Sequence, residues 1–379
     1  MNSQIPLSFP VFNGNENQYT QQAISSGHIA TNGSFISRFE EKLSTRLKTH
    51  ECVALNSGTS ALHLSLVLLG ISSGDEVICQ SFTFCASANP IVYLGATPIF
   101  VDSEKDTWNI CPELLEDAIL SRLAKGKKPK AIVVVHLFGM PAKMNEILEV
   151  AEKYGIPVLE DAAEAIGSEF EGRPCGTLGQ IAVFSFNGNK IMTSGGGGAL
   201  ISTDSAKIQR AKLLSTQARE DFPFYHHLEI GYNYKMNNIS AAIGLAQLEQ
   251  LDMFINNRRA VNQRYRELLE DFPGIEFQSE RKQSYSNYWL TSILIDQEIT
   301  GFSNDHLKLA LSKQGIESRY LWKPLHTQPV FNLTPFYGGN ISEGLFETGL
   351  CLPSSADLTL EDQEKVVKVL QEELSKTHK

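Results

Sequence analysis

Between Glu51 and Asp161 short apolar runs alternate with amphipathic stretches, a rhythm that predicts βαβ units feeding a mostly parallel sheet. Strands are expected at residues 53–55, 76–78, 97–101, 131–135 and 157–160, with helices at 59–69, 87–93, 112–120 and 145–154 between them. The run Ala131-Ile132-Val133-Val134-Val135 is apolar at every position, as suits a strand covered by helices on both faces. Two further strands are predicted at 181–184 and 197–201, separated by the glycines at 195–198. One long helix is expected from Asn238 to about Glu270, with Arg258, Arg259, Arg264 and Arg266 on its later, exposed part. Beyond Pro273-Gly274 the pattern changes to an isolated strand at 288–295 and helices at 304–314 and 360–374. The predicted class is α/β, with a large domain over 1–252 and a smaller α+β domain over 253–379.

The chain has 379 residues and a formal charge of -10, so its surface repels phosphodiester backbones, and no basic stripe offsets this. Nucleic acid is not an expected partner. No apolar run is long enough for a membrane span, and the first residues lack the basic and apolar regions of a signal peptide, so a membrane is not expected and the expected compartment is the cytoplasm. The six cysteines are scattered without metal-ligand spacing, which predicts reduced, mostly buried thiols and no metal site.

Candidate chemistry gathers at three strand ends. In Ser185-Phe186-Asn187-Gly188-Asn189-Lys190 a lysine follows a strand and precedes a glycine run. It is either a surface loop residue or an amine held in the cleft where open α/β sheets bind ligands, able there to condense with an aldehyde cofactor. The strand at 157–160 delivers Asp161, then Ala162-Ala163-Glu164. Asp161 either caps the next helix or, with pyridoxal phosphate, keeps a ring nitrogen protonated so that the ring acts as an electron sink. In Asn56-Ser57-Gly58-Thr59-Ser60-Ala61 a strand turns into a helix. Gly58 allows close approach there, and the Thr59 and Ser60 amides form an anion site suited to a phosphate.

In this order the three elements resemble those of the sugar-nucleotide aminotransferases of the DegT/DnrJ/EryC/StrS family, fold type I pyridoxal phosphate enzymes. The resemblance spans nearly the whole chain, from Gly33-Ser34-Phe35 to Trp322-Lys323-Pro324-Leu325-His326, and includes Gly231-Tyr232-Asn233-Tyr234-Lys235-Met236-Asn237-Asn238. It implies that Lys190 is the Schiff-base lysine and Asp161 the ring-nitrogen partner. Ser185 with the Thr59 and Ser60 amides would hold the phosphate of pyridoxal 5'-phosphate, Glu164 would stand beside the cofactor, and Phe84 would cover its ring. It further implies a homodimer with shared active sites, Asn233 reaching the neighbouring subunit's cofactor phosphate. Relatives with histidine at the lysine position are sugar dehydratases; this chain keeps Lys190, which favours transamination without excluding an elimination.

The segment from Gly315 to Phe331 and the stretch Ser215-Thr216-Gln217-Ala218-Arg219-Glu220 are similar to the branch that acts on a UDP-linked 4-keto-6-deoxy-N-acetylglucosamine. Tyr320 departs from that branch, which has proline there. The substrates implied are a nucleotide sugar and L-glutamate, with Arg219, Trp322, Lys323 and His326 as candidates for contacting the sugar nucleotide, because a diphosphate needs local cations and an aromatic face suits a sugar or base.

Overall fold

Alternating side chains explain how the predicted strands assemble. In Glu51–Leu55, Val53 and Leu55 face one layer of core while Cys52 and Ala54 face the other. The computed structural model, which describes residues 4–48 and 51–377, places this strand at one edge of an eight-stranded central sheet. The order is Glu51–Leu55, Gly198–Ser202, Ile181–Ser185, Val158–Asp161, Ala131–Val135, Glu76–Gln80, Thr97–Val101 and Phe336–Tyr337. From Ile181–Ser185 to Phe336–Tyr337 every pairing is parallel. Gly198–Ser202 alone runs against both of its neighbours. Gly58–Leu68 and Ser205–Leu214 cover one face through Leu62, Leu66, Ile208 and Ala211. The other face is covered by Pro112–Ala124 and Met144–Tyr154 at one end and by Ser34–Arg46 and Asn238–Glu249 at the other. The architecture is α/β with a mixed, mostly parallel sheet between helical layers.

A second, antiparallel sheet runs Ile275–Phe277, Thr291–Ile295, Gly349–Leu352, Arg319–Tyr320. It shares a core with the helices Leu251–Leu268, Asn304–Lys313 and Leu360–Thr377, through Tyr265, Leu311 and Leu370 among others. The chain crosses residue 253 in both directions: Ile5 bridges Ile316, and Phe336–Tyr337 completes the edge of the central sheet.

Four expectations from the pattern differ from the structure. The long helix is two, Asn238–Glu249 and Leu251–Leu268, broken at Gln250, so that the first lies on the central sheet and the second on the smaller one. Arg258 is not exposed but 1% accessible, its Nη1 and Nη2 bound by oxygens that only the tertiary fold brings near, while its Nε meets no partner among the described residues. The strand expected from residue 288 starts at Thr291, because Tyr288 has a left-handed backbone (φ 44°). The helices Glu16–Ser25, Ser34–Arg46 and Ser205–Leu214 have no counterpart in the pattern reading. No helix among the described residues is long and apolar enough to cross a membrane. Cys52, Cys79, Cys175 and Cys351 are buried, Cys85 and Cys111 partly exposed, and all are unpaired.

Candidate active site

The carboxyl ends of neighbouring parallel strands bring the predicted chemistry together. Asp161 ends Val158–Asp161 and Ser185 ends Ile181–Ser185, while Gly58 opens the helix that follows Glu51–Leu55. All three line one cavity of about 480 Å³, with Thr59, Phe84, Glu164, Lys190, Trp289, Arg319 and Trp322. Two glycines let its floor close. A Cβ on Gly58 would stand 2.9 Å from the Ser185 Cβ, and one on Gly198 would stand 2.5 Å from the Ser57 carbonyl and 2.6 Å from the Gly58 nitrogen. Neither place admits a side chain, so the helix start lies directly against the strand ends.

The anion cradle differs in one donor from the sequence expectation. Ser57 caps the helix, its Oγ accepting the Ser60 amide at 3.0 Å, and the Ser60 hydroxyl donates to Asn56 Oδ1 at 2.6 Å. Ser60 is therefore committed behind the cradle and does not line the cavity. Thr59 does line it, and among the described residues its amide meets no acceptor. That amide and the Ser185 hydroxyl face the space where an anion would sit.

Asp161 is 3% exposed. Its Oδ2 accepts the Ser87 hydroxyl at 2.7 Å and its Oδ1 the Ala163 amide at 3.2 Å. Burial pushes its pKa above the ordinary carboxylate value, against the Ser87 and Ala163 hydrogen bonds and the charge of Lys190. Glu164 is raised in the same way, by burial first, with Lys190 and the Phe138 amide opposing. Its Oε1 lies 3.4 Å from Lys190 Nζ and its Oε2 accepts the Phe138 N–H at 2.7 Å. Lys190 Nζ also sits 4.0 Å from the centroid of the Trp289 ring, a cation–π contact. One amine thus pairs with Glu164, lies over an aromatic face and adds a favourable charge near Asp161.

Sequence reasoning missed several residues of this wall. Trp289 donates its indole N–H to the Asn189 carbonyl at 2.8 Å, and Asn287 ties the Trp289 amide to the Glu164 and Ile166 carbonyls. Phe138 stacks between Trp289 and Trp322 (29° and 19° between ring planes) and holds a left-handed backbone at φ 55°. Phe138, whose amide binds Glu164, and Tyr288, next to Trp289 in the chain, are two of the non-glycine residues with positive φ. The scarcity of tryptophan, three in the chain, was the one sequence signal for Trp289.

The remaining candidates are dispersed. Phe84 is half-exposed at the mouth, its ring 5.2 Å from that of Trp322. Trp322 lines the cavity, and so does Arg319, which the sequence reading left out. Lys323 is exposed and outside the lining. His326 is turned away from the cavity: its ring stacks on Phe336 at 3.7 Å, with Nδ1 paired to Ser81 Oγ at 2.6 Å and Nε2 to Glu343 at 3.3 Å. Arg219 is exposed and lies over the Tyr225 ring at 4.7 Å, in a stretch where Phe222, Phe224, Tyr225, Leu228 and Ile230 are all exposed. Asn233 is exposed too, and its carbonyl accepts the Asn56 side chain at 3.1 Å.

Residues 11–371 match the model of the DegT/DnrJ/EryC1/StrS aminotransferase family. The chain belongs to this family. It is 45% identical over 374 residues to the "Putative pyridoxal phosphate-dependent aminotransferase EpsN" of Bacillus subtilis (strain 168), covering 98% of this chain and 96% of that protein. It is 39% identical to the GDP-perosamine synthase of Escherichia coli O157:H7, over 94% and 95% of the two chains. The fold superposes on the "Putative sugar aminotransferase Spr1654 from Streptococcus pneumoniae, PMP-form" with a TM-score of 0.91 at 26% identity, over 99% of each chain. As a family aminotransferase the protein uses pyridoxal phosphate, and its own residues fit that group. The cradle is built where a Cβ would intrude, the Thr59 amide is open to a phosphate, and a buried carboxylate stands across the cavity from it. Thr59 and Ser185 would hold the phosphate, Asp161 the ring nitrogen and Lys190 the aldehyde carbon.

Proposed function

We propose that this aminotransferase moves the amino group of L-glutamate to the C4 ketone of a nucleotide-linked 4-keto-6-deoxy sugar, UDP-2-acetamido-2,6-dideoxy-4-ketohexose, in the synthesis of a surface glycan or exopolysaccharide. The observation that carries the reading is Lys190 Nζ, held between Glu164 and the Trp289 face in a cavity that also presents Asp161. When bound, pyridoxal phosphate supplies the carbon that carries the amino group and a ring that stores the electron pair left by a departing proton. Asp161 is unprotonated in that role and holds the ring-nitrogen proton. Ser87 supports this charge state by hydrogen bonding to the carboxylate. Lys190 Nζ takes the proton from the substrate carbon and returns it to the other side of the transfer. Phe84 and Trp322 exclude water from the mouth and offer flat faces to a sugar.

The UDP and N-acetyl assignments rest on residues 319–331 and on Gln217-Ala218-Arg219. Likeness to GDP-perosamine synthases, at 39% and 36% identity, favours a GDP-linked 4-keto sugar as the second reading. Purified protein with glutamate and a panel of UDP-, GDP- and dTDP-linked 4-keto sugars separates the two, products read by mass and NMR. A GDP preference overturns the UDP assignment, and absence of glutamate-dependent 2-oxoglutarate with every sugar overturns the amination. A two-fold homodimer with shared sites is part of the proposal. It is supported by Asn233, exposed beside its own cradle, and by the exposed apolar stretch from Phe222 to Ile230. The cytoplasm is the proposed compartment, supported by six unpaired thiols.

A further inference from the structure

Arg258 stands in the middle of the Leu251–Leu268 helix, 1% exposed, and among the described residues its hydrogen bonds go to neutral oxygens. Burial lowers its pKa to about 10, so the guanidinium is still charged at neutral pH. A buried cation without a bonded carboxylate is costly to keep, and its contacts indicate what it does.

Nη1 donates to the Trp289 carbonyl at 2.6 Å and Nη2 to Ser8 Oγ at 3.1 Å. Those two residues converge again on a single atom. Ser8 Oγ donates to the Asn189 carbonyl at 2.9 Å, and the Trp289 indole N–H donates to the same carbonyl at 2.8 Å. Asn189 is covalently joined to Lys190, and the Trp289 ring is the face over which Lys190 Nζ lies. The third contact, Nη1 to the Ser354 carbonyl at 2.9 Å, secures the same region, because the Ser354 amide donates to the Leu7 carbonyl next to Ser8.

We propose that Arg258 is the positioning residue of the reactive lysine, a buried fork that holds both donors to the carbonyl preceding Lys190 and the ring beneath its amine. The inference rests on Lys190 being that amine. It assigns Leu7 and Ser8 to the active-site scaffold. A planar fork suits the task because it reaches two oxygens in fixed directions, whereas a lysine ammonium acts from one point.

The test uses holoenzyme of Arg258→Lys, Ser8→Ala and the double variant, measuring kcat, KM for the sugar nucleotide, amide hydrogen exchange of the peptide 187–194, and the pH midpoint of the cofactor's visible band. Each single variant is expected to lose kcat by roughly tenfold, the worth of one charge-assisted or buried hydrogen bond, with little change in KM. Exchange in 187–194 rises, the band midpoint moves, and the double variant is no worse than Arg258→Lys because both lie on one path. Unchanged exchange and an unchanged midpoint overturn the proposal even if thermal stability falls. If Arg258→Lys does not fold, Ser8→Ala decides by the same two readouts. Failure of the lysine reading itself is visible separately, as turnover and a shifted visible band retained by Lys190→Ala.

Discussion

Removing the Ser87 hydroxyl tests the electrostatics of the site through the hydrogen bond it donates to Asp161. Ser87 is 2% exposed, and its Oγ donates to Asp161 Oδ2 at 2.7 Å while pairing with Thr83 Oγ1 at 2.9 Å. Ser87→Ala leaves Oδ2 without its donor in a fully buried wall, with Oδ1 still accepting the Ala163 amide. A hydrogen bond to a charged group is worth ~1.5–3 kcal/mol, and the charged carboxylate bears that loss while the neutral acid bears less. Asp161 already has its pKa raised by burial, so the folded protein binds a proton at a pH where the unfolded chain does not. Its contribution to stability is therefore complete below the ordinary carboxylate value of 3.8 and is lost as pH rises through the folded value. Ser87→Ala pushes the folded value higher still. Urea unfolding of cofactor-free protein should show a deficit of ~1.5–3 kcal/mol above the folded pKa, shrinking as pH falls through it. In the pH profile of kcat/KM, activity on the acid side should fail at a higher pH than in the wild type, because Asp161 must be unprotonated to act. A deficit that is the same at every pH, together with an unmoved acid limb, would refute the assignment of Asp161 as the tuned carboxylate.

Lys190→Ala is expected to abolish turnover with thermal stability retained, measured by 2-oxoglutarate formation and calorimetry, since the side chain is at the cavity wall and not in the core. Gly198→Ala should cost ~1–3 kcal/mol of stability and weaken cofactor binding, read by urea midpoint and cofactor titration, because its Cβ meets the backbone of Ser57 and Gly58. Mixing Lys190→Ala with Asn233→Ala protein should restore part of the activity if subunits share sites; full activity in a sedimenting monomer contradicts this. Arg219→Ala should raise KM for the sugar nucleotide and leave KM for glutamate unchanged if Arg219 reaches the partner's cavity, and equal effects on both would remove it from substrate binding.

The parallel core was legible because its strands are apolar on both faces: Ala131–Val135 has no polar position to mislead. Asp161, Ser185, Gly58 and Lys190 were legible because strand ends and turns confine chemistry to short motifs, and the fold brings those motifs into one cavity. Arg258 was not, since a guanidinium in a polar helical stretch reads as exposed until carbonyls from Trp289 and Ser354, distant in sequence, bind its Nη1 in the interior. The Ser60 amide was misassigned for a local reason: Ser57 offers a cap that intercepts it before any ligand can. His326 sits in a segment suited to sugar contact, yet its ring is held by Phe336 and Ser81, partners that spacing along the chain does not reveal.

The strand Phe336–Tyr337 pairs with Phe100 and Val101, the last members of a strand made early in the chain. During synthesis that edge must wait roughly 235 residues for its partner, on the order of ten to fifty seconds at typical ribosomal rates. Throughout that interval the Phe100 and Asp102 amides lack the Pro335 and Tyr337 carbonyls that later accept them, on a strand of high apolar content, the kind of template on which nascent chains associate. The nascent protein should therefore depend on holding factors until its last third has emerged, and a chain halted before residue 336 should precipitate although its catalytic motifs are all present.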